Sequence, residues 1–386
     1  MIAGSVIKAQ GRVTTGEPAE YPSRAFPGVC VLPSGRWLCG FRGAVTKDAV
    51  EGQNAYLTWS DDRGASWSAP VAPFAPPILD GRTGRFRALY CTPLGGRRVL
   101  ATLYGVDAST PERPFFNETT EGLLDSYIFH SLSQDDGATW TTPARMDTTP
   151  YCQPTPITGP ALVMPDGRWA CQFELNKPYM DPAPWRHASV LMFSCDAGST
   201  WPEAVEVCPD PANRVFYWDQ RPSVLPEGSL FNVFWTYDRV AGAYRNIHAS
   251  RSSDGGRAWQ AVWDTRVPGQ PAPVVALENA TLAMVYMDRT GRPALKLRLS
   301  RDGGLTWPER SERVLDDFTA LCYPAGHATM QDAWAEMGAF SSGLPATCRT
   351  PDGDLLLVYY AGPHTDRTDI HWMLLDEMAL ERAARG

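Results

Sequence analysis

Apolar residues along this chain come in short runs, and the same break separates them again and again: a tight P-x-G-type turn followed by a second apolar run. Clear copies are Val29-Cys-Val-Leu-Pro-Ser-Gly-Arg-Trp-Leu38, Ala161-Leu-Val-Met-Pro-Asp-Gly-Arg-Trp-Ala170, Ser223-Val-Leu-Pro-Glu-Gly-Ser-Leu-Phe231 and Ala346-Thr-Cys-Arg-Thr-Pro-Asp-Gly-Asp-Leu355. Weaker copies lie at 88–100 and 273–284, which makes six strand-turn-strand units. Runs of this length bounded by Pro and Gly read as strands joined in hairpins. One stretch departs from the pattern: 376–385, rich in Ala, Leu, Glu and Arg, predicts a short surface helix.

A second repeat follows most of these units. The octapeptide S-x-D-x-G-x-[TSA]-W occurs five times, at Ser60–Trp67, Ser133–Trp140, Ser194–Trp201, Ser252–Trp259 and Ser300–Trp307. Its parts explain one another. The Asp accepts hydrogen bonds from backbone N–H groups of the turn, the Gly takes a positive φ, and the Trp packs back on the sheet. The tryptophans recur every 48 to 73 residues, a period that suits propeller blades and not helical solenoids. Six units against five octapeptides predict an all-β, six-bladed β-propeller with blades near 20–75, 85–148, 155–208, 218–266, 271–315 and 345–376. The last blade lacks a fourth strand of its own. The N-terminal run at 5–12 is expected to supply it, closing the ring so that no sheet edge stays open.

Composition narrows the function. Hydrophobic residues make up 44% and charged residues 20%, enough for a core across a single 386-residue domain. No run approaches the roughly 18 apolar residues a spanning helix needs, so no membrane partner is expected. A net charge of −8 without a Lys/Arg block excludes the footprint of a nucleic-acid binder. Nine cysteines without a C-x-x-C pair fit buried small side chains better than a disulfide framework or zinc knuckle. That usage suits a reducing compartment, and no basic-then-apolar leader is visible at the start, so a cytoplasmic location is expected, with secretion after removal of a signal as the alternative.

The octapeptide is identified as the Asp-box, or BNR, repeat, and the whole chain resembles the sialidase (neuraminidase) superfamily. The resemblance implies an exo-glycoside hydrolase releasing a terminal acidic sugar, such as a sialic acid, without cofactor or metal. The box aspartates Asp62, Asp135, Asp196, Asp254 and Asp302 are read as structural. In an up-and-down blade their turns share one face with the P-x-G turns, so a ligand pocket belongs to the opposite face. That face receives segments including 42–54, 104–126, 174–187, 213–221 and 317–345.

Family roles transfer best in the first blade. Ser23-Arg-Ala-Phe-Pro-Gly28 resembles the family's Arg-Ile-Pro segment with an inserted residue, which makes Arg24 the candidate carboxylate-binding arginine. Arg42 resembles the arginine ending the second strand, and Asp48 falls where related sialidases carry the Asp acid/base. Asp219 stands where the family usually has the Glu that activates its Tyr nucleophile, and Arg221 follows it. Glu174, at the end of an apolar strand, is a candidate second carboxylate. The expected blade-six Tyr is absent, leaving Tyr237, Tyr323 and Tyr359 as replacements. Arg239, Arg245 or Arg289 could complete the arginine set, and Arg87 with the loop 107–125 could shape a subsite. His187, His327 and His364 show no zinc-ligand spacing. Two further readings stay open: a catalytically silent carbohydrate-binding propeller and a polysaccharide lyase. The sugar, the linkage, retention or inversion, and the oligomeric state are not fixed by the sequence.

Overall fold

The computed structural model describes residues 6–14, 20–319, 321 and 329–385. Six antiparallel sheets form the blades of a propeller. Blade one contains Ser23–Val31, Trp37–Ala44 and Asn54–Ser60, and its outer edge is met by the bridge Leu57 to Val71 and by Ser68, whose N–H donates to the Trp59 carbonyl. Blade two is built on Arg82–Pro93, Val99–Asp107 and Ser126–Ser133, and blade three on Leu162–Val163, Trp169–Leu175, Ala188–Ser194 and Glu203–Val207. Val215–Val224, Leu230–Asp238 and His248–Ser252 carry blade four, while Leu282–Asp288, Ala294–Ser300 and Arg313–Asp317 carry blade five. In blade six, Ser342–Arg349, Leu355–His364 and Arg367–Leu375 are joined by the N-terminal strand Ile7–Arg12, whose Gly11 stands opposite Trp372. That strand ties the two ends of the chain together.

Second strands are sandwiched between neighbouring blades, so both of their faces are buried: every residue of Trp37–Ala44, Val99–Asp107, Leu230–Asp238 and Leu282–Asp288 is covered. Their near-continuous apolar character follows from this, since a strand with no wet face has no reason to alternate. Blades approach closely enough to require glycine in places. A Cβ on Gly40 would lie 2.2 Å from the Leu89 carbonyl oxygen of blade two.

All five octapeptides fold as the turn chemistry demands. The box Ser Oγ donates to the Asp Oδ1 at 2.7–2.8 Å and accepts from the Gly N–H at 2.8–2.9 Å. In four of them the Trp Nε1 donates to the Gly carbonyl, as Trp140 does to Gly137 at 3.0 Å. P-x-G turns lie on the same face: Arg36 and Arg97 of such turns pair with Asp61 and Asp136 of boxes, and Arg63 of a box pairs with Asp352 in the blade-six turn.

The long connection between blades five and six is not simply loop. It contains a helix, Met330–Ala339, opened by a capping box in which Thr329 accepts from the Asp332 N–H and Asp332 accepts from the Thr329 N–H. Met330 and Ala333 pack on Phe116, Trp218, Trp235 and Tyr237, which seats the helix across the face opposite the boxes. A hairpin of Phe116–Asn117 and Gly122–Leu123 rises from blade two to meet it, with Phe116 stacked on Trp334 at 4.6 Å. The terminal helix runs from Glu377 to Arg385, as the composition of that stretch predicts.

Candidate functional site

On the helix-bearing face a cavity of about 660 Å³ receives residues from every blade. Asp48, Lys47 and Phe26 come from blade one, Arg87, Tyr90 and Tyr104 from blade two, and Glu174 and Asn176 from blade three. Trp218, Asp219 and Trp235 come from blade four, Gln270 and Arg289 from blade five, and Tyr360 from blade six. The rim helix adds Trp334, Gly338 and their neighbours.

Asp48 sits on a short loop that is held from two sides. The buried Arg42 guanidinium donates to the carbonyls of Thr46 and Ala49 and to Gln53 Oε1 at 2.7 Å, which fixes the turn carrying Asp48. Lys47 Nζ donates to the carbonyls of Met337 and Phe340 at the C-terminal end of the rim helix, where unsatisfied carbonyls favour a cation. Burial, then the charge of Arg289, lower the Lys47 pKa well below its ordinary value. Asp48 itself is exposed to the cavity, where the rim helix passes it at Gly338, a position whose Cβ would make ordinary contact with Asp48 Oδ1 at 3.5 Å.

Across the cavity Glu174 and Asp219 form a carboxyl pair. Glu174 Oε1 accepts from the Asp219 N–H at 2.5 Å, and Asp219 Oδ2 accepts from Gln270 Nε2 at 2.5 Å. Burial, and next the charge of Asp219, push the Glu174 carboxyl well above the usual carboxylate range. The shift favours the neutral form of Glu174 beside Asp219, whose own carboxyl is held by Gln270. Gln270 Oε1 in turn accepts from Arg289 at 3.1 Å, which carries the polar chain from blade three to blade five.

Of the arginines singled out in the sequence, Arg87 lines the cavity and Arg24, Arg42, Arg221 and Arg239 do not. Arg24 is buried against blade six, where its Nη1 donates to Asp369 Oδ1 at 2.5 Å. A bulge between Ala25 and Gly28 explains the displacement: the inserted residue, Phe26, takes φ 56° and stands in the cavity instead. Arg42 is a positioning residue for the Asp48 loop. Arg221 is buried beside Pro271, donating to its carbonyl at 3.3 Å, and its charge acts on Glu174. Arg239 pairs with Glu121 at 3.3 Å and Arg245 with Asp238 at 2.6 Å, so both serve the rim. Arg289 does line the cavity.

Tyr237 is packed away from the cavity, stacked on Trp218 at 4.7 Å, with burial pushing its phenol up to about 12. It is not placed as a nucleophile. Tyr359 donates to Asp316 on the side of blade six, and Tyr323 and His327 lie outside the described residues. His187 stacks on Phe216 in an aromatic cluster. No group of three or more His, Cys, Asp or Glu able to hold a metal occurs among the described residues. Lys47, Gln270 and the rim helix were not singled out by the sequence reading. The Thr329-x-x-Asp332 capping box was the available signal for the helix.

Five Asp boxes, six blades and a cavity opposite the boxes define a six-bladed Asp-box propeller. The chain belongs to the BNR repeat-like family, whose profile matches residues 114–355. No curated protein matches it in sequence. Among solved structures it is similar to a protein of unknown function from Dyadobacter fermentans, with 18% identity, a TM-score of 0.71 and coverage of 96% of this chain and 100% of that one. It is also similar to the Hadza microbial sialidase Hz136, at 15% identity, TM-score 0.65, and coverage of 96% and 69%. A third is the intramolecular trans-sialidase from Ruminococcus gnavus in complex with oseltamivir carboxylate, at 12% identity, TM-score 0.66, and coverage of 97% and 99%. At these identities the likeness is one of fold.

Proposed function

We propose that the protein is an exo-acting glycoside hydrolase that releases a terminal acidic sugar, with Asp48 as acid/base and Asp219 as the second carboxyl group. The observation carrying this reading is the placement of Asp48 on one cavity wall and of the Glu174–Asp219 pair on another. Glycosidic cleavage needs a carboxyl group to protonate the leaving oxygen and a second group facing the anomeric carbon. Arg289, stacked on Phe340 at 3.9 Å and tied through Gln270 to Asp219, would hold the acidic group of the sugar being released. This replaces the roles first assigned to Arg24 and Arg42. If Asp219 attacks directly its carboxyl lies about 5 Å from that of Asp48, and if it activates water the gap is about 6.5–9.5 Å.

The test is release of a fluorescent aglycone from a panel of sialic acid, other keto-acid sugars, uronic acids, arabinose and rhamnose. Asp48→Asn is expected to lose at least about a hundredfold in turnover, as removal of an acid/base does. Unchanged turnover removes Asp48 from the mechanism. A silent carbohydrate-binding propeller is the second reading, favoured by the aromatic lining and by the burial of Tyr237 in the core. It predicts sugar binding without release.

A further inference from the structure

The cavity has two cationic docks where a terminal acidic sugar needs one. Arg87 comes from blade two and Arg289 from blade five, which face each other across a six-membered ring. Each guanidinium lies on an aromatic face: Arg87 is 4.3 Å from the Phe115 ring centroid and 5.2 Å from Phe26, and Arg289 is 3.9 Å from Phe340. Stacking of this kind holds the plane of the group and leaves its edge for a planar oxyanion. Neither arginine forms an ion pair among the described residues, although Glu336 lies within the field of Arg289 and Asp48 within that of Arg87. Their protein partners are neutral: Gln53 for Arg87, Gln270 and the Ser342 carbonyl for Arg289. A partly buried guanidinium without an ion pair is costly, and the rim arginines Arg239 and Arg245 have carboxylate partners.

We infer that the ligand is an acidic oligosaccharide with anionic groups on two neighbouring units, the terminal unit docked at Arg289 and the next unit at Arg87. The order follows from the carboxyl groups. Arg289 shares Gln270 with Asp219, the group facing the unit to be released, whereas Arg87 shares Gln53 with Arg42, which fixes the loop of Asp48, the group facing the leaving oxygen. A volume of about 660 Å³ has room for two sugar rings, being mid-range for pockets of about 300–1,000 Å³ that enclose a drug-sized molecule. This assignment rests on the proposed hydrolase reading for its order, but not for the existence of two docks.

Binding separates the two. Calorimetry on Asp48→Asn protein, which keeps both docks, would compare glucuronic acid and N-acetylneuraminic acid with digalacturonic acid, a sulfated chondroitin disaccharide, α2,8-linked disialic acid and uncharged cellobiose. At least one two-anion disaccharide is expected to bind tenfold or more tighter than either one-anion monosaccharide. In Arg87→Met that advantage should fall to threefold or less, and in Arg87→Lys part of it should return. The inference is overturned if no two-anion disaccharide outperforms the monosaccharides, or if Arg87→Met keeps the preference. Strong two-anion binding without hydrolysis by the unaltered protein would sink the hydrolase reading and leave the two docks standing. Hydrolysis of terminal acidic sugars without any two-anion preference would do the reverse.

Discussion

Asp219 takes φ 48° at a bulge between Trp218 and Arg221, a conformation that Asp and Asn tolerate better than most residues. The bulge turns its N–H to Glu174 while its side chain meets Gln270, so one kinked residue builds the carboxyl pair. A measurable consequence concerns Glu174. Because its folded-state pKa is raised, the folded protein holds a proton that the unfolded chain releases near pH 4.5, and stability falls as pH rises from there toward the folded value. Glu174→Gln keeps an acceptor for the Asp219 N–H and removes this titration. Denaturant melts across pH 4 to 8 should therefore show a flatter profile for the variant, with equal or greater stability at pH 7. A variant that loses stability as steeply as the parent would mean that Glu174 is already ionised.

The elements show why several candidates moved. A strand side chain changes face with every residue inserted, so Phe26 displaced Arg24 from the cavity to Asp369 without any change in the strand's extent. Elsewhere an element was hidden: the rim helix has little apolar periodicity of its own and is stabilised by its capping box, by Lys47 at its far end and by the aromatic bed of Trp218 and Trp235. Packing between blades is equally local and testable. Gly40→Ala would drive a Cβ into the Leu89 carbonyl, and backbone on both sides leaves no flexible group to yield. An overpacking cost of about 1–3 kcal/mol is expected, read as a lower denaturation midpoint with unchanged slope. A neutral effect would show that blades one and two can separate.

At the scale of the whole ring, closure by Ile7–Arg12 covers the edge of Arg367–Leu375, and the boxes set the response to acid. Hydrogen bonds from Ser and Thr side chains and from turn N–H groups hold Asp135 and Asp196 down to about 2, and Asp62, Asp254 and Asp302 are lowered in the same way. A depressed carboxyl contributes stability that is complete above its unfolded pKa near 3.8 and is lost as pH falls toward the folded value. Circular dichroism should accordingly show the fold intact at pH 5 and progressively destabilised between about pH 4 and 2. Full stability at pH 2 would contradict the box hydrogen bonds. Blade number, hairpin turns and the face carrying the boxes were legible in the sequence, since a turn's hydrogen bonds and a strand's apolar run are made by residues adjacent in the chain. Asp48 from its loop, and Glu174, Asp219 and Arg87 from their places in the strand pattern, could be named for the same reason. Which charged groups share the cavity was decided only in three dimensions. The ring sets blade two against blade five across more than a hundred and fifty residues, one bulge exchanges an arginine for a phenylalanine, and long-range partners such as Asp369 and Glu121 claim guanidinium groups that a linear reading leaves free.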